Sequence, residues 1–322
     1  MKYLVTGAAG FIGFHIVKKL LDNNFSVVGI DNMNSYYDIE LKKKRLKNLK
    51  SKNFKFYKID LINKNSVRNL FKKENFSYVI HLAAQAGVRE SLNNPLLYVD
   101  YNLKGFTNII EESKNNNIKH FIFASSSSVY GANKNKPSLE TDTCRQPISF
   151  YAATKIANES IAHSYSYNYG LPTTGLRFFT VYGPWGRPDM ALFKFTNSII
   201  NNKEILVYNH GKMQRDFTYI DDVVDAIYKI TNVIPIKSKK NICHSVYNVG
   251  SGNPIKLNHF IGLLEKKIGI TAKKKFINMQ TGDVKSTYAS IDKISKKINY
   301  SPINDIEYGI GEFVRWYRAF YS

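Results

Sequence analysis

Apolar positions in the first half of the chain come in short blocks. Residues 3–6, 26–30, 54–59, 78–82, 120–124 and 173–178 are brief β-prone runs closed by Gly, Asp, Asn or small residues, and each predicts a buried strand. Between them the spacing changes to threes and fours. Phe11, Ile12, Ile16, Val17, Leu20 and Leu21 predict a helix, and 39–49 reads as a lysine-coated one. A further helix contains 67–71, and 95–112 and 149–169 read as two long ones. Strands alternating with helices over short connections predict an α/β fold built on a doubly wound parallel sheet. Beyond Thr180 the rhythm loosens at Gly183, Pro184, Gly186 and Pro188. Helices at 190–200, 223–231, 257–268 and 306–320, with short strands between, predict a smaller C-terminal α/β substrate domain. The expected division is 1–180 and 181–322, with 217–233 packing back on the first part.

The turn after the first strand adds chemistry to this pattern. It reads Gly7-Ala8-Ala9-Gly10-Phe11-Ile12-Gly13. Gly7 permits a tight turn, Gly10 lets backbone approach a pyrophosphate, and Gly13 lets helix and strand pack closely. The helix that follows offers unpaired N–H groups and a positive dipole end to the phosphates. The second strand ends at Asp31-Asn32. A carboxylate about 20 residues after such a loop suits the 2′-hydroxyl of an NAD ribose and repels the 2′-phosphate of NADP. Strand, glycine loop, helix, strand and acid together predict a Rossmann-type NAD-binding fold. Asp60-Leu61 closes the third strand, and Asp60 is read either as a contact to the adenine edge or as the cap of the next helix. His81 lies inside a strand and reads as a core histidine. Leu82-Ala83-Ala84 follows it with small side chains that allow a cofactor close.

Composition narrows the class. The chain has 322 residues, 43% of them hydrophobic, and 46 Lys+Arg against 25 Asp+Glu, for a net charge of +21. The basic residues are scattered, as in Lys42-Lys43-Lys44-Arg45, Lys72-Lys73, Lys239-Lys240 and Lys273-Lys274-Lys275. No single stripe or nucleic-acid module appears, so the runs read as a solvated surface that attracts an anionic substrate rather than nucleic acid. Cys144 and Cys243 have no metal or redox spacing, and the expectation is free thiols in a reducing compartment. Met1 leads straight into a strand and no apolar run approaches the roughly 18 residues of a membrane span, so a soluble, cytoplasmic protein is expected.

The fifth strand runs into Ser125-Ser126-Ser127-Ser128, at the carboxyl end where open α/β sheets bind ligands. The long helix after it opens with Tyr151-Ala152-Ala153-Thr154-Lys155, which sets Tyr151 and Lys155 on one face. A phenol with its ordinary pKa of about 10 is a poor base at neutral pH. A lysine cation and a cationic nicotinamide favour the tyrosinate, which can then take a hydroxyl proton.

The glycine loop, Ser126 and Tyr151-x-x-x-Lys155 resemble the extended short-chain dehydrogenase/reductase family, in its nucleotide-sugar-modifying branch. The likeness spans nearly the whole chain. The segments 31–38, 81–89, 183–191 and 211–222 are similar to the UDP-glucuronate 4-epimerases of that branch. The resemblance implies NAD held by Gly7, Gly10, Phe11, Ile12, Gly13, Asp31, Asn32, Asp60, Leu61, Leu82, Ala83, Ala84, Asn102, Tyr151, Lys155 and Phe178. It implies a UDP-sugar held by Arg89, Ser126, Ser127, Ser128, Thr180, Arg187, Tyr208, Arg215 and Asp283. In that reading Ser126 bonds the sugar 4-hydroxyl, Tyr151 is the base, Lys155 holds the nicotinamide ribose, and Tyr208 flanks the uracil. Arg215 and Arg187 pair with the pyrophosphate or adjacent groups. The implied reaction is interconversion of UDP-glucuronate and UDP-galacturonate through a 4-keto sugar, by a homodimer built on helices 95–112 and 149–169.

Departures sharpen the implication. Dehydratases of the branch carry Asp-Glu where this chain has Ser127-Ser128, decarboxylating UDP-xylose synthases carry Glu at the place of Ser128, and galactose-type epimerases carry Asn at the place of Thr180. Gln280 stands near where some relatives place a pyrophosphate-binding arginine, and Thr281 replaces an expected proline. Two alternatives stay open: 4-epimerisation of UDP-N-acetylglucosamine or UDP-glucose, and a catalytically silent NAD-sensing regulator on the same fold.

Overall fold

β1 (Lys2–Thr6) leads through the glycine turn into α1 (Phe11–Asp22), and the rhythm continues with β2 (Ser26–Asp31), α2 (Ile39–Lys47), β3 (Phe54–Lys58), α3 (Lys64–Glu74) and β4 (Tyr78–His81). Two short helices, α4 (Glu90–Asn93) and α5 (Pro95–Tyr98), precede α6 (Gly105–Asn115), β5 (His120–Ser126), α7 (Phe150–Tyr169), β6 (Thr173–Phe178) and β7 (Thr180–Tyr182). The remainder comprises α8 (Ala191–Ile200), β8 (Glu204–Tyr208), β9 (Gln214–Tyr219), α9 (Ile220–Thr231), β10 (His244–Val249), β11 (Pro254–Lys256), α10 (Leu257–Ile268), β12 (Lys273–Ile277), α11 (Asp292–Ile298) and α12 (Ile306–Tyr321). The structure, a computed structural model, describes residues 1–238, 242–280 and 282–321. Lys239-Lys240 and Thr281, singled out above, lie outside the described residues.

The main sheet is seven-stranded, in the order β10-β6-β5-β4-β1-β2-β3, and every pairing in it is parallel. The order reverses between β1 and β4, and the crevice outside their carboxyl ends is where such sheets take ligands. Alternation along the strands assigns the two faces. Tyr3, Val5, Val27, Ile80 and Ile122 share a core with Phe14, Val17, Val223 and Ile227 of α1 and α9. Leu4, Val28, Val79, Phe121 and Phe123 pack instead with Leu70, Phe106 and Ile110 of α3 and α6. Helices on both faces explain why the strands read as continuous apolar runs.

Three local readings change. The helix expected over 95–112 is interrupted by a π-helical turn at Val99–Lys104, which contains Asn102. The lysine-coated helix is only half coated. Leu41, Lys42 and Arg45 of α2 face inward with Leu49 beyond it, while Lys43 and Lys44 stay exposed. A run of four basic residues hides an inward face because positions 42 and 45 are three apart on a helix. Finally, β10 is a late strand that enters the main sheet beside β6. Its sequence, His-Ser-Val-Tyr-Asn-Val, lacks the apolar density of the earlier strands.

Candidate active site

A cleft of about 740 Å³ opens at the carboxyl ends of the central strands. It is lined by all the predicted site residues except Asp60 and Asn102.

The glycine loop is built as its sequence requires. Gly7 has φ +72° and, with Ala8, donates to the Ile30 carbonyl at 2.8 and 3.1 Å. A Cβ on Gly7 would stand 2.9 Å from the Ala83 nitrogen, and one on Gly13 would stand 2.0 Å from the Gly7 oxygen. The loop therefore lies against β4's exit with no room for side chains, leaving its outer edge to a dinucleotide. Asp31 closes β2, and its Oδ1 accepts from the Met33 N–H at 2.8 Å. Lys42 Nζ stands 3.8 Å from Asp31 and donates to the Asn34 carbonyl at 2.9 Å. A carboxylate at the end of β2 beside a cradle of backbone N–H groups fits the ribose and pyrophosphate of NAD.

Asp60 caps no helix. It accepts from the Ile62 N–H, from Asn32 Nδ2 at 3.1 Å and from the Tyr101 hydroxyl at 3.2 Å, while Asn63 caps α3 through the Ser66 N–H. Asn102 stands behind the cleft rather than on its wall. Its side chain accepts from the Gln85 N–H at 2.7 Å and donates to the Gln85 carbonyl and Thr154 Oγ1, both at 3.1 Å. The Asn158 side chain takes up the Asn102 carbonyl, freed in the π turn, at 2.7 Å. Asn102 thus holds the backbone that follows Ala84.

Tyr151 and Lys155 occupy the first turns of α7, which Ser149 caps through the Ala152 N–H at 3.1 Å. Lys155 is buried, and its Nζ donates to the Ala124 carbonyl at 2.9 Å. That nitrogen lies 5.8 Å from the centre of the Tyr151 ring. Burial lowers the Lys155 pKa to about 8, against the opposing charge of Glu159. Burial also raises Tyr151 above its ordinary value, opposed by a hydrogen bond from Ser126 and by the charge of Arg187. Lys155, expected from the sequence to lower the phenol, is not among the groups that do so; Ser126 and Arg187 are, and desolvation outweighs both. Ser126 shares hydrogen bonds with Ser128, whose N–H reaches Ser126 Oγ at 3.2 Å. The serines run into a 3-10 turn over Ser127–Tyr130, and they line the same cleft as Thr180.

Three arginines, Arg89, Arg187 and Arg215, line the same cleft. Asp283 sits between Arg89 and Arg215, 3.2 Å from each. Arg89 also lies over the Tyr208 ring, 4.6 Å from its centre. Arg187 is held bidentately by Asp189. Beneath the serines, Ser125 donates to Glu159, which Arg177 clamps at 2.9 and 2.8 Å. Sequence reasoning missed Lys42, Tyr36 and Tyr101 as lining residues. Nothing in the sequence singled out the first, which stands within four consecutive basic residues.

Comparison with known proteins agrees with this geometry. Residues 3–250 match the model of the NAD dependent epimerase/dehydratase family. The chain is 48% identical to Protein CapI of Staphylococcus aureus, with all of both chains covered. It is 44% identical to a probable UDP-glucuronate 4-epimerase of Rhizobium meliloti, covering 100% of this chain and 98% of that one. Among solved structures, UDP-glucuronic acid 4-epimerase from Bacillus cereus, in complex with UDP-glucuronic acid and NAD, matches over the whole of both chains with a TM-score of 0.92 and 34% identity.

Proposed function

The chain belongs to the NAD dependent epimerase/dehydratase family, and from that premise we infer that it interconverts UDP-glucuronate and UDP-galacturonate. Its cofactor is NAD, which supplies a hydride acceptor and donor at the sugar's C4 and is regenerated in each cycle. One observation carries the choice of substrate. Ser126, Tyr151 and Lys155 meet, at the carboxyl end of β5, a set of neutral hydroxyls, Ser127, Ser128 and Thr180, in the same cleft as the glycine loop.

The residues divide the work as follows. Tyr151 takes the 4-hydroxyl proton as hydride leaves C4, and Ser126 holds that oxygen. Lys155 would hold the nicotinamide ribose, and the positive charge of the oxidised ring would add to that of Lys155 in offsetting the cost of ionising a buried phenol. Arg187 and Arg215 exchange their carboxylate partners for the UDP pyrophosphate, about which the 4-keto sugar turns before hydride returns to its other face. The keto sugar is a β-keto acid and loses CO₂ when its C5–C6 bond aligns with the ketone π system. Ser127, Ser128 and Thr180 hold the carboxylate out of that alignment by charge-assisted hydrogen bonds, with no carboxylate in the set to repel it. In this reading residues 1–180 hold NAD and bring the catalytic and carboxylate-holding residues to the sugar, while 181–322 supply most of the remaining UDP-sugar contacts.

We assign the active form as a homodimer. Leu92, Leu96, Leu97 and Val99 lie exposed on and beside the 95–112 segment, and Tyr167 and Tyr169 on α7. Light scattering at micromolar concentration tests this, and a monomer contradicts it. Among the described residues no helix is long and apolar enough to cross a membrane. Both cysteines are free, in keeping with a cytoplasmic location. The function is tested by incubating the purified protein, without added NAD, with UDP-glucuronate, UDP-N-acetylglucosamine and UDP-glucose. UDP-galacturonate as the main product is expected. Turnover of the neutral sugars alone overturns the substrate assignment, and no turnover of any sugar supports a silent regulator.

A further inference from the structure

The basic run on α2 buries one guanidinium completely. Arg45 is 0% exposed, and no carboxylate lies within 4 Å of it among the described residues. A buried cation is costly unless its donors are satisfied. Arg45 satisfies four of its five with oxygens from three separate segments, the glycine loop, the stretch before α2 and the loop at 185–186. Nη1 donates to the Ala9 carbonyl at 2.9 Å, inside the glycine loop, and to the Tyr37 hydroxyl at 2.7 Å. Nη2 donates to the carbonyls of Trp185 at 2.5 Å and Gly186 at 3.3 Å. One residue earlier, the Pro184 carbonyl accepts from His15 Nε2 of α1 at 3.0 Å. Three consecutive carbonyls of the loop leading to Arg187 are therefore held by the cofactor-binding half. That loop is not relaxed on its own: Trp185 has φ +61°, in the left-handed region that a tryptophan rarely adopts.

We propose that Arg45 is a positioning residue which couples occupancy of the dinucleotide loop to occupancy of the sugar site, with His15 as its second anchor. The inference rests on the functional reading above. Ala9 immediately precedes Gly10, whose backbone edge faces the pyrophosphate of NAD. Gly186 immediately precedes Arg187, which lines the sugar side of the cleft. A rigid planar fork spanning the two carbonyl sets transmits a shift of either loop to the other. Sugar nucleotide drawing on Arg187 thereby fixes the Ala9-Gly10 peptide and slows loss of NAD. A short, singly pointed lysine ammonium at position 45 keeps the charge but cannot span both loops.

The test is NAD release from the holoenzyme in the Tyr151→Phe background, where turnover does not interfere, followed by rapid filtration with and without saturating UDP-glucuronate. In that background the sugar nucleotide is expected to slow release at least fivefold, within the usual range of coupling between sites. Adding Arg45→Lys should cut the effect to less than twofold. Should Arg45→Lys not fold, His15→Leu decides the matter: it should reduce the effect by at least half, and His15→Gln, which keeps a donor, should restore it. An undiminished effect in the variant that folds overturns the coupling role. So does sugar nucleotide that binds without slowing release in the Arg45 parent. Failure of the parent to bind UDP-glucuronate at all would instead overturn the functional reading.

Discussion

Tyr151 is harder to ionise than a free phenol, because the cleft strips water from it faster than Ser126 and Arg187 compensate. Its partner Lys155 is softened to about 8 for the same reason. The pair therefore suits a site in which the base is switched on by a bound cation rather than standing ready. Tyr151→Phe should lower turnover about 10²–10⁴-fold, the usual contribution of a positioned proton acceptor, while UDP binding measured by calorimetry stays near wild type. Activity within a few-fold of wild type removes Tyr151 from the mechanism. Thr180→Val keeps the side chain's shape and removes one hydroxyl. It should weaken UDP-glucuronate more than UDP-glucose and raise the share of 4-keto pentose by-product; unchanged selectivity with no added CO₂ would clear Thr180 of holding the carboxylate. Tyr151, Lys155 and the serines were legible because spacing and context act together, a tyrosine and lysine four apart on a helix that follows a serine-ended strand in a chain with a dinucleotide loop, whereas Thr180 came from the family resemblance. Lys42 and Arg45 were not. Within four consecutive basic residues, composition says solvent, and only the packing of α2 says which two turn inward.

At the scale of elements, α1, α3, α7 and the first six strands of the main sheet follow from apolar period, and the structure adds Asn63 and Ser149 as the caps of α3 and α7. What stayed hidden is the π turn between α5 and α6. The extra residue is tolerated because Asn158 accepts the strain of the register change by bonding the Asn102 carbonyl, a partner 56 positions away that no local window contains. Turns of this kind recur at functional sites because they redirect one side chain without ending the helix. Here the redirected side chain braces Gln85 from behind the cofactor wall. Asn102→Leu leaves the buried Gln85 N–H and carbonyl unpaired, which costs about 1–3 kcal/mol for a lost buried partner. Thermal unfolding should fall by several degrees, and added NAD should recover less of the loss than it does in wild type. A variant with unchanged melting and unchanged NAD stabilisation shows that the brace is dispensable.

The whole molecule carries an acid sensitivity that none of its catalytic groups implies. Late strand β10 joins a sheet whose strands come otherwise from the first 178 residues, so sheet and C-terminal half stand or fall together. Within that assembly burial drives four histidines far below their ordinary 6.5: His15 and His81 to about 3, His120 and His244 to about 4. His81 meets Thr6 Oγ1 at 2.8 Å and His120 meets Thr174 Oγ1 at 2.7 Å, neutral partners that do not repay a charge. The sign follows from linkage. Between pH 6.5 and 4 the unfolded chain binds protons that the folded chain refuses, so the stability these groups contribute is complete above pH 6.5 and is lost as pH falls toward their folded values. Glu74 extends the loss. Burial alone would raise its pKa, but Tyr57, Lys2 and Lys55 hold it at about 2, so its contribution is present above 4.5 and drains below. For the two fully enclosed histidines, His81 and His120, the loss by pH 5 is on the order of 1–2 kcal/mol each. Urea unfolding at pH 7.5, 6.5 and 5.0 should therefore show a midpoint that changes little across the first step and drops clearly across the second. A midpoint that is flat down to pH 5 would mean that the histidines are protonated in the folded protein, and that the core around β4 and β5 is wetter than its packing indicates.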